Sequence, residues 1–308
     1  MTGIYKSVRL NDVRMARSRY GARLLSKPNV IGLMLGVKLV SDEVTPQLCL
    51  TVLVDTKLPM SELSPEAKLP VRLTLEDKKR VPVDVLEMQP LRRQAAAFPR
   101  QGTLGLSDTV QTGTLSALSV SPGGVFGITC AHVLKGKDND TATPTPVGAW
   151  SPSLNRYLQV GTSLFSVSGP GAGVRGSFGF LDAGLFSIQH PELLYAAKHA
   201  QPLALARSLN LKTALTGIGA VKGVRSGQVI GLEQSVYGVL CDVVIRVDVP
   251  GTFRGDSGML WRNDRGEATA IHAMGTDAPP GVGSALTGAM LVRRATTALG
   301  VTLIDAPI

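Results

Sequence analysis

Three short segments hold residue types able to do acyl-transfer chemistry: Thr129-Cys130-Ala131-His132, Leu181-Asp182-Ala183 and Gly255-Asp256-Ser257-Gly258. A serine hydroxyl is a poor nucleophile at neutral pH because its proton must leave as the oxygen attacks. An imidazole takes that proton and returns it to the leaving group, while a carboxylate fixes the imidazole tautomer. Ser257, His132 and Asp182 are the candidates for these roles, in chain order His, Asp, Ser. The glycines leave backbone N–H groups open, and the amides of Gly255 and Ser257 are the expected donors to a developing oxyanion. Asp256 is expected to turn away toward a buried positive or hydrogen-bonding partner that holds the loop. Taken singly, each segment has a plainer reading: a turn, a core histidine, a strand-end cap. Their joint order and contexts carry the inference.

These residues need strands to position them. Residues 114–120, 125–130, 157–167, 178–188, 228–232, 237–247, 259–261 and 268–273 are short segments of strand character separated by turns, several of them glycine-rich. Many short strands over about 200 residues point to barrels or a sandwich rather than a doubly wound sheet. Residues 169–173 lack the spacing and following lysine of a phosphate loop and read as a surface turn. Residues 193–215 suit a connecting helix, which Pro202 interrupts. Upstream, residues 6–25 permit a short amphipathic helix ended by Pro28. Residues 30–40 and 48–54 read as paired strands around a turn at 41–46, residues 59–66 as a turn and short helix, and residues 80–86 as a further strand. The composition then shifts to Arg, Gln, Ala and Pro over 91–100, the composition of a connection. The expected division is a basic segment 1–27, a small α/β module 28–90, a linker 91–101 and a main domain 102–308.

The 308 residues are 44 % hydrophobic, enough for a substantial core. The net charge of +9 lies mostly in front: residues 1–101 hold 17 Lys/Arg against 10 Asp/Glu, the remainder 15 against 13. With few aromatics and no recognition motif, this reads as a solvated basic face, and nucleic acid is not an expected partner. Cys49, Cys130 and Cys241 are widely spaced in apolar surroundings and read as buried free thiols. Four histidines without Cys/His clustering give no metal site, and no cofactor is expected. Basic residues interrupt the first twenty positions, so no signal peptide or membrane span is expected and the reading is cytoplasmic.

On the three segments quoted above, the sequence resembles the trypsin-like, chymotrypsin-fold serine peptidases over residues 102–308, and is most similar to intracellular bacterial members with a short leading α/β region. The resemblance implies a mainly β fold of two packed antiparallel β-barrels of the chymotrypsin type, preceded by the small α/β module. It implies a serine endopeptidase that hydrolyses peptide bonds through an acyl-enzyme on Ser257, with Glu or Gln preference. It also implies Thr252, His272, Ala273 and Gly275 as substrate-binding residues. Gly251 stands where an acidic pocket floor would serve Arg/Lys substrates, so that preference is not implied; Thr252 and His272 can each hydrogen-bond a carbonyl or carboxylate. For His272, a core histidine bonded to backbone is the equal alternative. No Ile-Val-Gly-Gly start precedes the domain. Either another basic residue such as Arg254 partners Asp256, or the chain is latent, with Arg92, Arg93 and Arg100 marking a cleavage zone. The expected partners are a protein or peptide substrate and an activating protein; no membrane is expected. The alternative function is a latent or non-catalytic peptide-binding or signalling module on the same fold.

Overall fold

The computed structural model describes residues 7–41, 43–94, 104–106, 112–134, 144–151, 153–170, 178–220, 223–276 and 283–305. The chain is mainly β and forms two large antiparallel-dominated sheets. One contains a closed ring of six strands, in the order Ala214–Gly219, Leu260–Arg262, Ala268–Thr276, Leu286–Leu291, Val239–Val247 and Gly223–Val236, the last pairing back to the first. Ring closure removes free edges, and its inward residues, among them Val229, Val243, Ile245, Met259 and Trp261, are almost fully buried. The other sheet has nine strands along an open path, and no pairing among the described residues joins its ends. The expectation of two packed barrels is corrected accordingly: one six-stranded barrel closes, and the second sheet is not a closed barrel.

The small N-terminal α/β region extends the closed barrel. The helix Leu10–Leu25 buries Val13, Ala16 and Leu24 against the strand Val30–Val40 and its neighbours. That strand pairs on one side with Glu43–Val54 and on the other with Gly223–Val236, so the sheet runs on from the barrel wall. Register shifts interrupt both ladders, between Leu33 and Leu35 on the Gly223–Val236 side, and between Val30 and Gly32 and again between Val37 and Leu39 on the other. Arg14 and Arg17 at the helix reach Glu233 at 2.7 and 2.6 Å, and add a polar tie at the same seam.

Residues 59–66 form turns without a helix. Pro191–His199 is a helix, and the strand Gln201–Pro202 follows it, where Pro202 predicted an interruption. The strand Arg156–Pro170 reaches into the expected turn at 169–173, whose last three residues lie outside the described ones. Residues 95–100 of the expected connection also lie outside them. The front of that connection, Leu91–Arg93, is instead a strand paired antiparallel to Ala268–Thr276.

Candidate active site

The site lies between the two sheets. His132 sits in the 3-10 turn Ala131–Val133 that follows the strand Gly124–Thr129, and Asp182 sits early in Phe180–Ile188, which pairs with that strand. Ser257 belongs to the turn between Val239–Val247 and Leu260–Arg262 of the closed barrel. The strand bearing Asp182 is pinned at its start by a buried ion pair on the neighbouring elements. Arg294 meets Asp242 at 2.6 Å and donates to the Gly179 carbonyl at 2.7 Å.

The structure brings His132, Asp182 and Ser257 together. His132 Nδ1 lies 2.5 Å from Asp182 Oδ2, and the His132 backbone N–H donates to Asp182 Oδ1 at 3.0 Å. With Nδ1–H donating to the carboxylate, Nε2 presents a lone pair to the Ser257 hydroxyl 3.0 Å away. All three residues are at most 2 % exposed. Burial pushes the Asp182 carboxyl up, but His132, the nearby Arg93 charge and the backbone N–H more than offset it and hold it below its ordinary value. Asp182 therefore stays a carboxylate and orients the ring.

The Ser257 loop has its shape for identifiable reasons. Gly258 has φ +99, and a Cβ there would collide with the Thr114 carbonyl and Thr129. The Ser257 carbonyl accepts from Thr114 N–H at 2.6 Å, and the Thr114 hydroxyl donates to the Gly255 carbonyl at 2.7 Å. Asp256 turns inward, as its sequence context suggested. Its partner is Arg225, with Nε at 3.2 Å and NH2 at 3.1 Å, both side chains wholly buried. Arg254, the residue that the sequence offered, is exposed.

A second polar cluster adjoins the first. His272 is fully buried; burial, followed by the charges of His132 and Arg225, lowers its pKa to about 3, so the ring is neutral at physiological pH. Nε2 lies 2.7 Å from Gln94 Oε1, and Nδ1 lies 2.7 Å from the Thr287 hydroxyl, which is also within reach of the Met274 carbonyl. Gln94 Oε1 carries no hydrogen, so the neutral ring is assigned with its proton on Nε2, donating to Gln94, while Nδ1 and the Met274 carbonyl share the single Thr287 hydroxyl proton. The Gln94 amide donates to Ser284 Oγ at 2.7 Å, and the Ser284 hydroxyl donates in turn to the Thr276 carbonyl. The Ala273 carbonyl accepts from Gln94 N–H at 3.4 Å and lies 3.3 Å from Ser257 Oγ. A Cβ at Gly275 would collide with the Gln94 amide. Thr252 pairs through its backbone with Ser284, and its buried hydroxyl has no hydrogen bond among the described residues. Of the two expected oxyanion donors, Gly255 N–H donates to the Gln94 carbonyl. Gln94, Ser284, Thr287 and Arg225 also belong to the site and lie outside every motif in the sequence. Nothing in their local sequence marks them, because only strand pairing brings them to His272 and Asp256.

Cys130 also stands at the centre. Its sulfur, a His132 ring nitrogen and an Asp182 oxygen lie within 4.8 Å of one another. A clustered Cys–His–Asp set is not the Ser–His–Asp pattern that the motifs resemble, and it corrects several linked expectations. It overturns the expected trypsin-like serine peptidase membership, serine-protease activity and hydrolysis through an acyl-enzyme on Ser257, together with the narrower likeness to intracellular bacterial proteins. The thiol donates to the His272 carbonyl at 3.2 Å, and burial with the nearby Asp182 charge pushes its pKa well above the ordinary value. It is therefore held protonated, and Nδ1 and Oδ2 are committed to each other. The cluster reads as a hydrogen-bonded assembly rather than a metal centre.

No family model matches the chain. No curated protein matches it. Among solved structures it is similar to a glutamic acid specific serine protease that utilizes a histidine triad in substrate binding, at 19 % identity, TM-score 0.44, covering 66 % of this chain and 97 % of that one. It is also similar to Thermobifida fusca protease A, at 16 % identity, TM-score 0.43, covering 69 % and 100 %. A third is Cellulomonas bogoriensis chymotrypsin, at 16 % identity, TM-score 0.41, covering 67 % and 99 %. Likenesses at this level do not show a family and say nothing about activity.

No helix among the described residues is long and apolar enough to cross a membrane. The three cysteines are free and buried.

Proposed function

We propose that this chain is a hydrolase acting on peptide bonds, with the buried His132–Asp182 couple as its proton-transfer machinery. The observation that carries this reading is the alignment at His132: one ring nitrogen on a carboxylate at 2.5 Å, the other on a hydroxyl at 3.0 Å. An imidazole fixed in this way accepts a proton at Nε2 and returns it to a leaving amine, while Asp182 stabilises the imidazolium that forms between those events. Ser257 is the site residue whose hydroxyl His132 polarises. Gly255 N–H, already directed at a peptide carbonyl, supplies charge stabilisation to a developing oxyanion. His272, Ala273, Gly275 and the border residue Thr252 are the proposed substrate-binding residues, with His272 donating to a side-chain carbonyl. A peptide or protein is the expected substrate, and the three free thiols suit a reducing, cytoplasmic location.

The test is hydrolysis of peptide amides by the wild type and by His132→Ala, Ser257→Ala and Cys130→Ala variants, with folding followed by circular dichroism. Loss of activity in a folded His132→Ala variant supports the reading, and undiminished activity refutes it. Parallel loss in Ser257→Ala or in Cys130→Ala reports which side chain the base serves.

A further inference from the structure

The segment Leu91–Gln94 lies in the site as a peptide substrate would. Its strand pairs antiparallel with the edge of Ala268–Thr276, with Arg93 opposite Met274, Arg92 opposite Gly275 and Leu91 opposite Thr276. Gln94 N–H continues that ladder to the Ala273 carbonyl, and its own carbonyl accepts from Gly255 N–H. Ser257 Oγ shares the Ala273 carbonyl with Gln94 N–H. Gln94 thereby shares a backbone partner with the hydroxyl that His132 engages, and its own carbonyl is held by the amide two residues before that serine. Gln94 is only 5 % exposed, with its side chain in the His272–Ser284 pocket that Gly275 leaves open. A structural linker strand needs none of these coincidences: an oxyanion donor on its carbonyl, a filled specificity pocket and edge pairing in register.

We propose that the Gln94–Ala95 peptide bond is a substrate of this site in cis, selected by its glutamine side chain; this inference rests on the hydrolytic reading above. The C–N bond between Gln94 and Ala95 breaks, and one water supplies the oxygen of the new Gln94 carboxylate. Its protons end on the Ala95 amine, which leaves as an ammonium, with His132 Nε2 as the carrier. No oxidant or cofactor is consumed.

The pocket selects the amide over a carboxylate. His272 N–H donates to Oε1, while Ser284 spends its only proton on the Thr276 carbonyl and so offers a lone pair to the Gln94 NH2. A glutamate would set a carboxylate oxygen against that lone pair, or force Ser284 to abandon a buried carbonyl. Cleavage frees the Gln94 end to leave the pocket and admit a second peptide, while the rest of the cut segment stays attached through the sheet, because Val30–Val40 remains paired with Gly223–Val236.

The experiment uses the full chain, purified and incubated, with intact mass and terminal sequencing as the readout. A reporter amide of acetyl-Leu-Arg-Arg-Gln is assayed in trans on the same samples. The expected result is a new amino terminus at Ala95, absent in His132→Ala and slowed roughly 10- to 100-fold in Gln94→Glu. Gln94→Glu leaves the base untouched and keeps the test informative where His132→Ala fails to fold. A wild-type chain that stays intact, or is cut elsewhere, while hydrolysing the reporter overturns self-cleavage and leaves the hydrolytic reading standing. An intact chain inert to the reporter overturns self-cleavage, and overturns the hydrolytic reading as well where a folded Gln94→Gly variant, its pocket emptied, is also inert; equal cleavage of Gln94→Glu overturns amide selection.

Discussion

Replacing Arg225 by Met removes the cation that Asp256 was buried to meet. Both side chains are 0 % exposed, and Arg225 Nε and NH2 converge on one oxygen, Oδ2, at 3.2 and 3.1 Å. The same oxygen accepts Phe253 N–H at 2.9 Å, and Arg225 NH1 donates to the Gly223 and Val224 carbonyls at 3.2 and 3.3 Å. Removing one partner of such a pair leaves a buried charge without its counter-ion, which costs about 3–5 kcal/mol. The cost falls on the loop that holds Gly255 and Ser257, so hydrolysis weakens along with stability. The assay is urea unfolding of wild type, Arg225→Met, Asp256→Asn and the double variant. The single Arg225→Met change is expected to cost about 3–5 kcal/mol, and the double variant much less than the sum of the singles, with coupling of at least about 1 kcal/mol. An Arg225→Met protein within about 0.5 kcal/mol of wild type, or additive singles, would refute the reasoning.

Three further outcomes are expected. Asp182→Asn should preserve the fold but lower the rate of peptide-amide hydrolysis by about 10³- to 10⁴-fold, because the ring loses the carboxylate that fixes its tautomer; steady-state kinetics checks this. His272 has a folded pKa of about 3, below its unfolded value of about 6.5, so the unfolded state binds more protons and stability falls as pH drops between those values. Unfolding at pH 4 against pH 7 should show about 3 kcal/mol of acid destabilisation from this group, missing in a folded His272→Gln variant. Gly258→Ala should destabilise the chain and abolish hydrolysis, since a Cβ has no room beside Thr114 and the backbone has φ +99; thermal unfolding and the same amide assay read both effects.

Local signals in the sequence identified much of this molecule. The turn-separated strand segments located most of the barrel, because inward Val, Ile and Leu at period two report burial whatever their partners. The His132, Asp182 and Ser257 segments stood out because turn glycines and small residues surround them. Pairing was not legible. Val30–Val40 reads as half of a local hairpin, and its second partner, Gly223–Val236, lies two hundred residues away. The strands of the second sheet are locally indistinguishable from those of the first and so read as a barrel too; closure depends on register between distant strands. Leu91–Gln94 reads as linker for the same reason. Its Arg-Arg-Gln composition says nothing of the edge of Ala268–Thr276, which gives it a place in the site. Likewise, Arg225 and Asp256 are a pair only after folding, and the neighbouring Arg254 was the nearer choice in sequence.

The central claim, that His132 held by Asp182 drives hydrolysis at this site, is tested most directly by the rate of amide hydrolysis in folded His132→Ala protein relative to wild type under identical conditions. The account predicts a loss of at least about 10²- to 10⁴-fold; a rate within about threefold of wild type would contradict it.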